Sequence, residues 1–157
     1  MNFLFITRHK YRVNDSIENI RAEIESITNR RWHDFSSNIT GRFKLDNSFI
    51  LTHKWSFTII KWLETDPAYL TGSLTREDDK ILITTSLRPN SLFVILFYLL
   101  AILFLFELVG IKTFEGSNYY KLLLFLLLDL VLFALIRMYT TGLKRRFEKL
   151  LQLQQSE

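Results

Sequence analysis

One aspartate, Asp129, interrupts an otherwise uncharged apolar run from Leu122 to Ile136. A carboxylate inside such a run is costly in a bilayer, and it marks either a proton or ion path or a polar contact between helices. Counting inward from the outer end of the run puts Asp129 about 10 Å deep, level with Ile102 and near Tyr98 of the preceding apolar run. Glu107 falls close to the outer surface. The expected partners are therefore the Tyr98 hydroxyl or a second copy of Asp129 in an oligomer, and the plain alternative is a protonated carboxyl bonded to a neighbour.

Elsewhere the chemically capable residues are scattered. His9, His33 and His53 stand singly, without a carboxylate or second histidine at metal-ligand spacing, so they are expected at the surface or a sheet edge. Glu77-Asp78-Asp79 reads as a solvated acidic turn in preference to a cation site. The sequence carries no Gly-rich phosphate loop, no Gly-x-Ser-x-Gly elbow and no paired catalytic carboxylates. No catalytic residue, metal or cofactor is assigned. A triad would be visible only in three dimensions.

The elements that position these residues begin with the two apolar runs. Ser91 to Val109 and Leu122 to Met138 each approach the roughly 20 residues that a helix needs to cross the bilayer core, and Gly110 to Lys121 joins them. Lys80 and Arg88 precede the first run and Arg137, Lys144, Arg145, Arg146 and Lys149 follow the second. The connection has only Lys112 and Lys121, with Glu115. That excess of Lys and Arg predicts an inner-membrane, multi-pass hairpin with both termini cytoplasmic. Tyr119, Tyr120 and Tyr139 fall near the ends of the second span, at headgroup level. Arg137 is expected to snorkel to the cytoplasmic headgroups.

Ahead of the hairpin, residues 1–88 read as one small α+β domain. Phe3 to Val13 is rich in strand-forming residues and stops at Asn14-Asp15. From Asp15, with Glu18 as a capping-box variant, Ile17, Ile20, Ile24 and Ile27 recur at helical spacing and predict an amphipathic helix packed on a sheet. Trp32 and Phe35 lie in a polar connection and are expected under the domain edge or near the membrane. Ile39, Gly41, Phe43 and Leu45 alternate with Arg42 and Lys44, turn at Asp46-Asn47-Ser48, and continue as Phe49, Leu51, His53, Trp55 and Phe57. Thr58 to Leu63 extends this strand or begins another. A second hairpin joins Tyr69–Thr75 to Lys80–Leu87, with Ile81, Ile83 and Leu87 on one face. Gly41 and Gly72 inside strands predict a bulge or a close backbone approach. The sum is an N-terminal strand, one helix and an antiparallel β-meander covered on one face, with Arg42, Lys44, Lys54, Thr84 and Ser86 facing solvent. Arg88-Pro89-Asn90 is a linker too short to let the domain leave the membrane surface.

Residues 91–139 form the hairpin and 140–157 a basic tail. Leu143, Phe147, Leu150 and Leu151 share one side of a short helix ringed by Lys144, Arg145, Arg146 and Lys149. That pattern predicts a helix lying on anionic lipid headgroups of the inner leaflet, with Gln152, Gln154 and Gln155 fraying beyond it.

Composition sets the outer bounds. The 157 residues have no cysteine, which excludes disulfides and thiolate metal sites. Residues 1–90 hold 13 Lys and Arg against 11 Asp and Glu, a balance of +2 that does not call for nucleic acid. Met1 to Ile6 is apolar, but it precedes its charges and is shorter than a signal-peptide core, so no cleaved leader is expected.

The order of parts resembles a group of small, uncharacterised bacterial membrane proteins with a cytoplasmic α+β domain. It is carried by Gly41 within a strand before a hairpin, Gly72 in a later strand, Ile81 to Pro89 ending in Leu-Arg-Pro, and the two apolar runs, over Ile39 to Val109. The resemblance implies architecture and no activity. The function expected is a membrane-anchored, non-enzymatic module that binds an unknown cytoplasmic protein or ligand, with homo-oligomerisation through the hairpin. The alternative is a membrane-acting effector or immunity partner in a bacterial conflict system.

Overall fold

The computed structural model describes residues 5–28, 38–44, 46–54, 66–77, 80–110 and 118–153. Expectations for His33, Trp32, Phe35, Leu45, Trp55 to Leu63, Asp78-Asp79 and Gln154-Gln155 lie outside them.

Five strands, β1 (Thr7–Val13), β2 (Ile39–Phe43), β3 (Ser48–His53), β4 (Ala68–Glu77) and β5 (Lys80–Pro89), form one antiparallel sheet in the order β1-β5-β4-β3-β2. Among the described residues three helices complete the fold: α1 (Ile17–Thr28), α2 (Ser91–Leu108) and α3 (Asn118–Leu150). The class is α+β, as the periodicities predict.

The alternation assigns one face of the sheet to the core. Tyr11, Phe49, Leu51, Leu70, Leu74, Ile81, Ile83 and Leu87 are buried there, together with Ile20, Ile24 and Ile27 of α1. Both strand glycines answer to close approach. Neither is a bulge, because the register runs through Gly41↔Leu51 and Phe49↔Gly72 without a break. A Cβ on Gly72 would collide with the Phe49 ring, which lies across it, and one on Gly41 would collide with the Leu51 side chain. The first turn holds Asn47 at φ 56°, with Asp46 Oδ1 accepting from the backbone and hydroxyl of Ser48.

Several expectations need correction. The first strand runs over Thr7–Val13 and leaves Phe5 and Ile6 outside it, while the expectation for Phe3 and Leu4 lies outside the described residues. Helix α1 is capped one residue later than Asp15: the Ser16 hydroxyl accepts from Asn19 N at 3.1 Å, and Asp15 braces Ser16 and the Asn19 amide. The second hairpin is longer, pairing Glu77 with Lys80 and Ala68 with Pro89. Arg88 and Pro89 therefore belong to β5, and Asn90 alone separates the sheet from α2.

The largest correction concerns the tail. Residues 140–150 are the continuous end of α3, and Leu143 and Phe147 are fully buried against the sheet. The physical reason is area. Strands spaced about 4.8 Å apart make a five-stranded sheet about 19 Å across, and one helix, about 10 Å wide, covers half of it. Helix α1 packs on β2, while the end of α3 packs on β4 and β5. Phe147 stacks on Phe49 at 5.6 Å and meets Tyr11 edge-on at 6.0 Å. Two helices cover the core face where one was expected. On the opposite face Arg42 and Lys44 are exposed, and Lys54, Thr84 and Ser86 are half-buried.

Candidate functional site

Helices α2 and α3 pack antiparallel, as two contacts establish. Phe97 lies against Phe133 with ring centroids 6.4 Å apart, and Lys121 Nζ reaches Glu107 Oε1 at 3.5 Å. The paired numbers sum to 230 and 228, so Asp129 stands level with residues 99–101, close to the depth counted from sequence. Asp129 is half-buried, and its Oδ1 is enclosed without a hydrogen-bond partner among the described residues.

Tyr98 does not meet it. No hydrogen bond joins the two among the described residues, and the Tyr98 ring is instead 5.6 Å from Phe97 and 6.5 Å from Phe5. The depth was readable, but the facing was not. Glu107 lies in the last turn of α2, at the loop end of the helix pair, with its side chain fully buried beside Lys121, which belongs to α3 and not to the connection.

Helices α2 and α3 join the sheet through two direct connections. In the first, Asn90 caps α2: its Oδ1 accepts from Leu92 N at 2.8 Å, its Nδ2 donates to Asp66 O at 2.9 Å, and its own N–H donates to Pro67 O at 3.0 Å. In the second, α3 runs for 33 residues, about 50 Å, from the apolar hairpin into the core. Phe5 adds a third tie, its ring set among Phe97, Tyr98 and Phe133.

Where α3 enters the domain, polar groups flank its buried stripe. On one side His53, expected at an edge, is only 5% exposed. Its Nε2 lies 3.0 Å from Tyr139 O, an acceptor, so the proton sits on Nε2. Nδ1 then accepts from Arg146 Nη1 at 3.0 Å. Burial pushes the His53 pKa below the usual histidine value; the Tyr139 contact opposes this, and the Arg146 charge reinforces it. Arg146 also donates to Asn38 O at 3.3 Å, tying α3 to the start of β2.

On the other side the buried Tyr11 hydroxyl donates to Glu148 Oε1 at 2.9 Å, and Lys144 stands 3.7 Å from that same oxygen. Burial, and then the Glu148 contact, hold Tyr11 well above the usual phenol range. Partial burial lowers His9, with Lys144 adding to the effect.

The five basic residues assigned to the membrane surface thus divide. Lys144 and Arg146 are engaged by the domain. Arg145 and Lys149 are exposed, and exposed Arg137 places its guanidinium 5.5 Å from the Phe133 ring centre. The alternation had already put His53 on the core face beside Phe49 and Leu51, which was the available signal for its burial.

Among the described residues no three His, Asp or Glu side chains gather as metal ligands would. No family model, curated protein or solved structure matches the chain.

Proposed function

We propose that this is an integral inner-membrane protein, with both termini cytoplasmic and a non-enzymatic α+β domain that binds a cytoplasmic protein or ligand beside the bilayer. One observation carries the reading. Among the described residues two helices are long and apolar enough to cross a membrane, and only 6% and 11% of their apolar windows are buried within the chain. A soluble protein's core helix would have most of that surface covered. Leu99, Leu105, Leu123, Leu127 and Leu130 are each more than half exposed, and a bilayer is the solvent that accepts such a belt.

The continuous α3 gives this architecture a use, because an event on the sheet is transmitted to the hairpin without a flexible joint. That coupling also favours a second reading, a membrane-acting effector or its immunity partner, in which the domain senses and the helices assemble through Asp129. Cross-linking and native mass spectrometry of the detergent-extracted protein separate the two. A defined oligomer that Asp129→Leu dissolves supports assembly through the hairpin and raises the effector reading. Monomers for both forms favour an anchored binding module.

A further inference from the structure

The sheet ends in β1 on one side and β2 on the other, and the two edges differ. Helix α1 packs on β2, where Arg42 is the one exposed residue of five and the Arg21 guanidinium lies 4.7 Å over the Phe43 ring. At the other edge β1 exposes Thr7, Arg8, Lys10 and Arg12, four of its seven residues. We propose that β1 takes up an extended segment of a cytoplasmic protein as a sixth strand, one that alternates acidic with apolar residues. The inference rests on the binding role proposed above and gives it a surface and a partner chemistry.

Three features argue for this occupant. Phase is the first: Arg8, Lys10 and Arg12 fall at every second position and so share the sheet face away from the core. A strand added beside β1 sets its own side chains directly opposite them, where acids are favoured and bases disfavoured. The same rule turns away a second copy of β1, which would set cation against cation. The second feature is that these cations already meet an acid and hydroxyls. Arg12 Nε stands 3.7 Å from Glu77 Oε2. Ser86 pairs with Arg8 and Thr84 with Lys10 across the ladder, beside a hollow of about 320 Å³ lined by Arg8, Ser73, Thr84 and Ser86. The third is the reverse face. There Tyr11 is buried and half-buried Val13 packs on the core, so an apolar side chain from the added strand extends that packing. A polynucleotide would use the cations and leave both the strand's backbone groups and this margin unused.

The test is fluorescence anisotropy of labelled hexapeptides with the full chain in detergent. The probes are alternating Glu-Val, the same residues in two blocks, alternating Lys-Val, and the alternating Glu-Val peptide N-methylated throughout, with an oligothymidylate as polyanion control. Wild type is expected to bind alternating Glu-Val about tenfold tighter than the blocked order, the combined preference of three cross-strand pairs. N-methylation, which removes the backbone donors, should abolish binding. The double variant Arg8→Glu/Lys10→Glu, changed at exposed positions, should turn the preference toward Lys-Val; the wild-type comparisons stand whatever its stability. Absent binding of alternating Glu-Val, equal affinity for the two orders, binding that survives N-methylation, an unchanged preference in the variant, or tighter binding of the oligothymidylate would each overturn the site. A cytoplasmic protein that co-purifies equally with wild type and the double variant would keep the binding role and move it off β1.

Discussion

From Tyr119 to Ile136, α3 carries leucine and phenylalanine on almost every side and leaves Leu123, Leu127 and Leu130 more than half exposed. From Tyr139 to Leu150 the same helix confines its largest apolar groups to a stripe, Leu143 and Phe147, that the sheet covers completely. No break separates the halves. The difference teaches that a single helix can present two kinds of surface, apolar all round where it is long and apolar enough to cross a membrane and one-sided where it has a sheet on one flank and water on the other. On the proposed membrane placement, the change of solvent falls at the polar contacts around Tyr139, His53 and Arg146.

The comparison breaks most readily at the buried stripe. Phe147→Ala removes an aromatic ring from between Phe49 and Tyr11 and is expected to cost about 3–5 kcal/mol, measured by thermal unfolding in detergent. Leu127→Ala, on the exposed half, should shift the same transition by no more than about 0.5 kcal/mol. Equal losses at the two positions would remove the distinction between the halves. A smaller effect is expected one layer down. Gly72→Ala drives a Cβ into the Phe49 ring, and the overpacking should cost about 1–3 kcal/mol; an unchanged melting temperature would mean that Phe49 does not lie across β4.

Contacts flanking the stripe sharpen the boundary further. Tyr11→Phe deletes the hydroxyl that donates to Glu148 and should destabilise by about 1–3 kcal/mol. His53 contributes a pH dependence. Its folded-state pKa lies below the ordinary 6.5, so the unfolded chain binds the extra proton. Stability from neutral His53 is therefore complete above pH 6.5 and declines as pH falls through 6.5 toward the folded value. Protonation would set an N–H on Nδ1 against the Arg146 guanidinium. His53→Gln should flatten the fall in melting temperature between pH 7.5 and 5. His9, shifted in the same direction, leaves a residual slope. A slope identical to wild type would place the pH response elsewhere.

Much of this fold was legible from local periodicity. The isoleucine stripe of α1, the alternation through Phe49 and Leu51, the close approaches at Gly41 and Gly72 and the two apolar helices all follow from spacing within one element. What escaped were properties of pairs of elements. An amphipathic basic helix looks the same whether its apolar side lies on lipid or on a sheet, so Leu143 and Phe147 were assigned to the leaflet. Only the width of five strands against one helix pointed to the sheet. Level along a helix pair is likewise a count of residues, and it put Asp129 opposite Ile102, within one turn of the 99–101 level that the packing of α3 on α2 gives. Rotation about the helix axis depends on packing, which is why Tyr98 turned to Phe5 and Phe97 instead. Glu107 and Lys121 escaped for a related reason: their pairing needs the offset of α2 against α3, which neither run contains.

The absence of cysteine makes the decisive measurement direct. Single cysteines at Ser73, Tyr119 and Arg145, all exposed, are offered a membrane-impermeant maleimide in intact and then permeabilised cells. The account predicts that Tyr119→Cys is labelled from outside while Ser73→Cys and Arg145→Cys react only after permeabilisation. Labelling of Ser73→Cys or Arg145→Cys in intact cells, or protection of Tyr119→Cys, would contradict a hairpin that crosses the membrane with the sheet and both chain ends inside.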